Sequence, residues 1–221
     1  MRTDEAPLRV AGLLFVAAGL WYLFTESVAA AGFPGYDYAT NYISDLGVPE
    51  PGVVDGRRLD SHLSAAMNAG FLVKGLLIFL GIAAAYPALG RGWQRVLVVL
   101  LAIGHWFGLS LVALVPASER NAELGLTGLH VLGAGLAIVA GNLLFAFAAL
   151  TVLRAGLGRL APLFPVLAAV GLVCLLLLTI GNETGADLLL PDGVLERGAV
   201  YTITASELLA GALLLARRDE R

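Results

Sequence analysis

Residues 36–47 read YDYATNYISDLG, a polar and aromatic segment held between two long apolar runs, 8–28 and 62–86. Apolar runs of this length match the hydrocarbon core of a bilayer, roughly 30 Å thick, which about 20 helical residues cross. In that core a segment must satisfy its own backbone groups, so a helix is the expected form. The segment is therefore read as a connection at a membrane surface. Its rings, Tyr36, Tyr38 and Tyr42, are amphipathic and suited to the headgroup layer.

The same alternation continues to the end of the chain. Of 221 residues, 58% are apolar and 14% charged, with a mean hydropathy of +0.84, far from the balance of a soluble domain. Six runs are long enough to span: 8–28, 62–86, 96–116, 129–153, 162–180 and 199–216. The expected fold class is all-α, a polytopic membrane protein forming a single six-transmembrane-helix bundle. Residues 29–61 form its long extracytoplasmic loop, carrying NYISDLG.

Lys and Arg set the orientation. Arg2, Arg9, Arg91, Arg95, Arg154, Arg159, Arg217, Arg218 and Arg221 fall on one side, and only Arg57, Arg58, Arg120 and Arg197 on the other. Nine against four places both termini in the cytoplasm and predicts a multi-pass protein of the plasma membrane. The outer side holds twelve acids against its four arginines, a formal −8, which excludes a nucleic-acid partner and an outer surface that hugs anionic lipid. Membrane lipids are the expected surroundings, and the oligomeric state is left open. The first run is read as an uncleaved anchor, since its apolar part is longer than a signal core and Asp4 and Glu5 interrupt the basic leader.

The single cysteine, Cys174, excludes a disulfide within one chain and reads as packing. The 27 glycines indicate close helix contacts, with Gly133, Ala137, Ala140 and Gly141 forming one small face in the fourth run.

Polarity placed at a cost marks the candidate residues. Glu26 closes the first run as a solvated or capping carboxylate. In the loop, Ser44 and Asp45 suit a short interfacial helix, which Asp45 would stop and Gly47 would turn. Asp60 and Ser61 are plausible caps for the second run. Along that run Ser64, Asn68, Phe71 and Lys74 share about a third of the circumference. Lys74 lies twelve residues in, roughly 18 Å from the outer end, where a lone ammonium costs about 3 kcal/mol. Glu207 in the sixth run reaches similar depth, on one stripe with Arg197, Tyr201, Thr204 and Gly211. The two charges are either an internal pair that fixes helix register or the lining of an outward-opening cavity. His105 reads as a hydrogen-bonded core residue and Asn142 as a bond to a neighbouring helix. His130 reads as an imidazole at the outer interface, and the adjacent Glu196 and Arg197 as an acid at a helix start beside a snorkelling cation.

NYISDLG after the first run, VP followed by HVLGA at the fourth, and ERGAVY at the sixth together resemble a prokaryotic membrane family designated domain of unknown function 998. The resemblance covers nearly the whole chain. It implies a six-helix membrane protein without an agreed activity, with Ser44, Asp45, Leu46, Gly47, Pro116, His130, Glu196 and Arg197 at the recurring positions. The Ser-Asp-Leu-Gly element also resembles, loosely, one in eukaryotic families related to autophagy modulators and glycolipid-anchor remodelling.

Three functions fit these residues. The first is an outward-facing polar pocket near the outer leaflet, built from the second, fourth and sixth runs, that binds or handles a lipid-like amphiphile. Its candidate lining is Asn41, Asn68, Lys74, Arg120, Arg197, Tyr201, Thr204 and Glu207, with the loop tyrosines as a lid. The second is a membrane-embedded hydrolase or transferase using Ser44, Asp45, His130 or Glu196, with His62 nearby. Its residue types resemble those of metal-dependent ceramidase-like hydrolases. However, three histidines without HxxxH spacing give no metal set, and no cofactor is expected. A haem between His105 and His130 would have to bridge different depths. The third is a non-catalytic accessory subunit, whose polar residues would all pair internally.

Overall fold

A computed structural model describes residues 5–54, 56–151, 153–186 and 190–217. Arg2, Asp55, Asp187, Arg218 and Arg221, which enter the charge asymmetry, and Asp4 of the leader lie outside the described residues. The helices are α1 Glu5–Ala31, α2 Ser64–Ala85, α3 Trp93–Leu114, α4 Glu119–Glu123, α5 Thr127–Leu150, α6 Arg154–Leu157, α7 Leu163–Thr184 and α8 Asp192–Ala216. Six of these, all but the short α4 and α6, are long and apolar enough to cross a membrane. The chain is a multi-pass integral membrane protein, and an even number of spans brings α1 in and α8 out on one face.

The spanning helices pack in chain order, α1 on α2, α2 on α3, α3 on α5, α5 on α7 and α7 on α8. Then α8 closes against α1 and also touches α5 across the ring. Small residues set the closest approach. A Cβ on Gly108 of α3 would stand 2.5 Å from the Ala137 backbone nitrogen and 2.6 Å from the Gly133 carbonyl of α5. The small face of the fourth run is thus the seam that lets two backbones touch.

Two apolar layers fill the ring. One, near the termini, contains Phe15, Ile78, Ile82, Leu144, Phe164 and Leu214. The other lies under the long loops and contains Tyr22, Phe33, Ile43, Leu46, Met67 and Phe71. A buried polar level with Lys74, His105 and Glu207 also lies inside the ring.

The long loop is more ordered than its composition suggests. Residues Ser44–Gly47 form one 3-10 turn, and two strands, β1 Gly52–Val54 and β2 Arg57–Leu59, pair antiparallel with Val53 opposite Arg58. Gly56, at φ 75°, supplies the left-handed position at the hairpin tip. Gly47 does not turn the chain through a positive φ, as expected from the sequence; it lies against Asn68, whose Nδ2 donates to its carbonyl at 2.8 Å. The α2 caps differ as well. Leu63 precedes the helix without a side-chain cap, while Asp60 turns to Arg58 and His62, and Ser61 donates to the Leu46 carbonyl at 2.6 Å. These side chains tie the loop to itself instead of capping the helix.

The last helix begins at Asp192, seven residues before the apolar pattern does. Pro191 sets a fixed φ at its entry, and the Val194 N–H donates to the Ala39 carbonyl at 3.1 Å, so the long loop supplies a partner for the helix start. Gly193 makes that approach possible: a Cβ there would lie 2.5 Å from the Asn41 carbonyl.

Candidate functional site

The polar residues of the loop face gather around Arg197, one turn inside α8. Its Nη1 donates to three carbonyls, Tyr38 at 2.6 Å, Asn41 at 2.9 Å and Gly193 at 3.1 Å. Its Nη2 donates to Glu26 Oε1 at 3.3 Å and to the Tyr36 hydroxyl. The guanidinium also stacks over Tyr38, 4.7 Å from the ring centroid. A planar fork with five donors can bind so many acceptors at once; an ammonium cannot.

Glu26 is therefore not the solvated carboxylate expected at a helix end. It is 2% exposed, a turn before the end of α1, and the Tyr201 hydroxyl lies 2.9 Å from both its oxygens. Helix α1 runs on to Ala31 because Arg197 and Tyr201 satisfy the acid where lipid or water would otherwise have to.

Two further carboxylates hold loop backbone. Glu196 Oε2 accepts from the Ile43 N–H at the entry to the 3-10 turn. Asp45, 1% exposed, accepts from the Tyr42 N–H at 3.0 Å, Arg57 Nε at 3.2 Å and Asn41 Nδ2 at 3.4 Å. Arg57 in turn stacks on the Tyr42 ring at 4.1 Å. The three tyrosines thus stand between cations and the helix ends, within the cluster.

Burial holds the Tyr36 phenol protonated well above its ordinary range, and burial followed by the neighbouring Asp192 pushes Tyr42 up to about 12. Tyr42 donates within this cage to Asn182 or Asp192, each 3.0 Å away. A phenol that holds its proton more tightly when folded contributes stability in full below the unfolded value of about 10 and loses it as pH rises toward 12. The thermal midpoint in detergent should fall over that window, and Tyr42→Phe should flatten the fall.

Deeper in the ring, Lys74 and Glu207 face each other. Lys74 Nζ is 3.1 Å from Glu207 Oε1, donates to Thr204 Oγ1 at 2.7 Å and lies 4.0 Å from the centre of the Tyr22 ring. They are 1% and 0% exposed. His105 Nδ1 bonds to the Ala137 carbonyl at 2.7 Å, and Asn142 joins α8 through the Ala199 carbonyl and Thr202. His130 is buried, with Nδ1 2.8 Å from the Val115 carbonyl.

The structure thus brings together Asn41, Asp45, Glu196, Arg197 and Tyr201 in one cluster, and Lys74, Thr204 and Glu207 in a second. Asn68 holds Gly47 between α2 and the turn. Arg120 stands apart, exposed on α4. Among the described residues no hydrogen bond links Ser44, Asp45 and His130, and no three His, Cys, Asp or Glu side chains are placed to share a metal ion. Arg57 and Tyr22 escaped the sequence reading. Arg57 is twelve residues from Asp45, a separation with no periodic signal, and Tyr22 sits in an apolar run where only the place of Lys74 reveals its use.

A family model described as Protein of unknown function (DUF998) matches residues 15–213. The chain belongs to this family. No curated protein and no solved structure matches it. The match embraces both clusters of this DUF998 chain, from Tyr22 and Glu26 to Glu207, together with the loop and helix motifs that carry the resemblance. Within it, the geometry gives the Ser-Asp-Leu-Gly element a structural task, since its turn is anchored to α8 through Glu196 and to β2 through Asp45 and Arg57.

Proposed function

We propose that this protein binds a lipid-like amphiphile at its loop face in the plasma membrane. The observation that carries the reading is a hollow of about 450 Å³ beside the cluster, between the end of α1 and the hairpin tip. Its lining combines apolar Phe33 and Pro34, polar Thr40 and Asn41, and the cations Arg57 and Arg58. Arg57 is committed to Asp45, whereas Arg58 keeps 80% of its side chain exposed and, among the described residues, bonds to Asp60 alone, at 3.3 Å. An anionic headgroup could exchange for that weak surface pair while an acyl chain follows the outer end of α1. Of the residues proposed from sequence for such a site, Asn41 lines this hollow, and Lys74, Thr204 and Glu207 lie in the buried level.

An accessory subunit without a ligand is the second reading, favoured by the internal pairing of Arg197, Glu26, Asp45 and Lys74. Native mass spectrometry with lipidomics separates the two. Wild-type protein should carry one anionic lipid class in excess, and Arg58→Ala should lower that excess roughly tenfold, the worth of one charge-assisted bond. A bulk-lipid profile from both proteins would leave the accessory reading standing.

A further inference from the structure

The buried level between the two apolar layers holds more polar atoms than it holds partners. Glu207 is 0% exposed, and its Oε1 meets the Lys74 ammonium at 3.1 Å, while its Oε2 has no hydrogen-bond partner among the described residues. The same ammonium also donates to Thr204. The Tyr22 hydroxyl and His105 Nε2 are buried without partners as well. A register-fixing ion pair satisfies its oxygens, because an anion in a medium of low dielectric is otherwise expensive. This carboxylate leaves Oε2 unsatisfied.

Three acids, Glu26, Glu207 and the half-buried Glu196, lie along the inner side of α8. The acids differ in what holds them ionised. Glu26 has Arg197 and Tyr201, and Glu196 has the Ile43 N–H. Glu207 has the Lys74 ammonium at Oε1 alone, and its Oε2 is free to take a proton.

The charged group facing this acid is Lys74 of α2, with the Tyr22 ring of α1 4.0 Å beyond it, and Gly19 of α1 lies against Oε1. His105 of α3 is buried on the Ala137 carbonyl; Asn142 of α5 and Cys174 of α7 meet α8 nearer the loop face, at Ala199 and Gly198, and Glu26 and His130 lie at that face. Toward the loop face, polar side chains continue through Tyr201 and Glu26 to Arg197. Toward the termini, the layer of Phe15, Ile78, Ile82 and Leu214 holds no buried polar side chain among the described residues.

From this we infer that Glu207 is the seat of one exchangeable proton inside the membrane, loaded and released from the loop face alone, with Lys74 as its fixed counter-ion. Ionisable groups held within a bilayer serve as proton relays in many pumps and transporters; here the apolar layer makes the site one-sided.

Infrared difference spectroscopy on the wild-type protein in vesicles tests this, with pH stepped between about 5 and 9 on one side at a time. The expected result is one titrating protonated-carboxyl band per chain, responding to pH on the loop face and lost in Glu207→Gln. A wild type with no titrating carboxyl band, or a band that follows pH on the termini face, overturns the proposal. So does a band that survives in Glu207→Gln. Should that variant fail to fold, Glu26→Gln and Glu196→Gln decide: both must retain the band, and its loss in either moves the proton away from Glu207 and ends the assignment.

Discussion

Lys74→Met should destabilise the protein by about 3 kcal/mol or more, and Glu207→Gln by a similar or smaller amount. Removing one partner leaves the other charge stranded at full burial. The double variant should be less destabilised than the sum of the two, because methionine and glutamine leave no charge to solvate, and the recovered part measures the coupling. Reversible unfolding in mild detergent near pH 8 provides the comparison. If the double variant merely adds, the 3.1 Å approach carries no interaction energy. Lys74→Met alone should be milder at low pH, where Glu207 can neutralise itself.

The second large effect belongs to Arg197. Replacing it with alanine should cost about 3 kcal/mol or more, since Glu26 would remain buried and three loop carbonyls would lose their donor. Lysine should rescue little of this, because one ammonium cannot fan out to Tyr38, Asn41, Gly193, Glu26 and Tyr36 together. The damage should also be local before it is global. Hydrogen exchange should rise first across residues 36–47 and at the start of α8, where Val194 bonds to Ala39. Uniform loosening of all six spans would contradict the view of Arg197 as the clamp of this loop.

Lys74 and Glu207 illustrate what could be read without coordinates. Their depths follow from a rise of 1.5 Å per residue, and expense in the bilayer requires a partner, so the pairing was legible from two positions in two runs. Glu26 was not legible in the same way. The apolar run ends near Val28, so the acid reads as a terminal residue, and only the approach of Arg197 and Tyr201 from α8 explains why α1 continues to Ala31 with a carboxylate inside it. Arg57 gave no signal because a hairpin brings together residues whose separation has no helical or strand period. The start of α8 was misplaced for a related reason. Glu196 and Arg197 read as the mouth of the helix until their partners are seen, and those partners belong to a segment about 150 residues earlier.

The sequence alone determined the membrane class, the six spans, the common face of the termini and the depth of the costly charges. Each depends on local composition and the length of a helix crossing about 30 Å of hydrocarbon. The tertiary structure decided the closed ring of helices, the docking of the long loop on α8, the hollow beside Arg58 and the unsatisfied Oε2 of Glu207. These depend on which side chains meet across distant segments, and a hydropathy pattern carries no record of that.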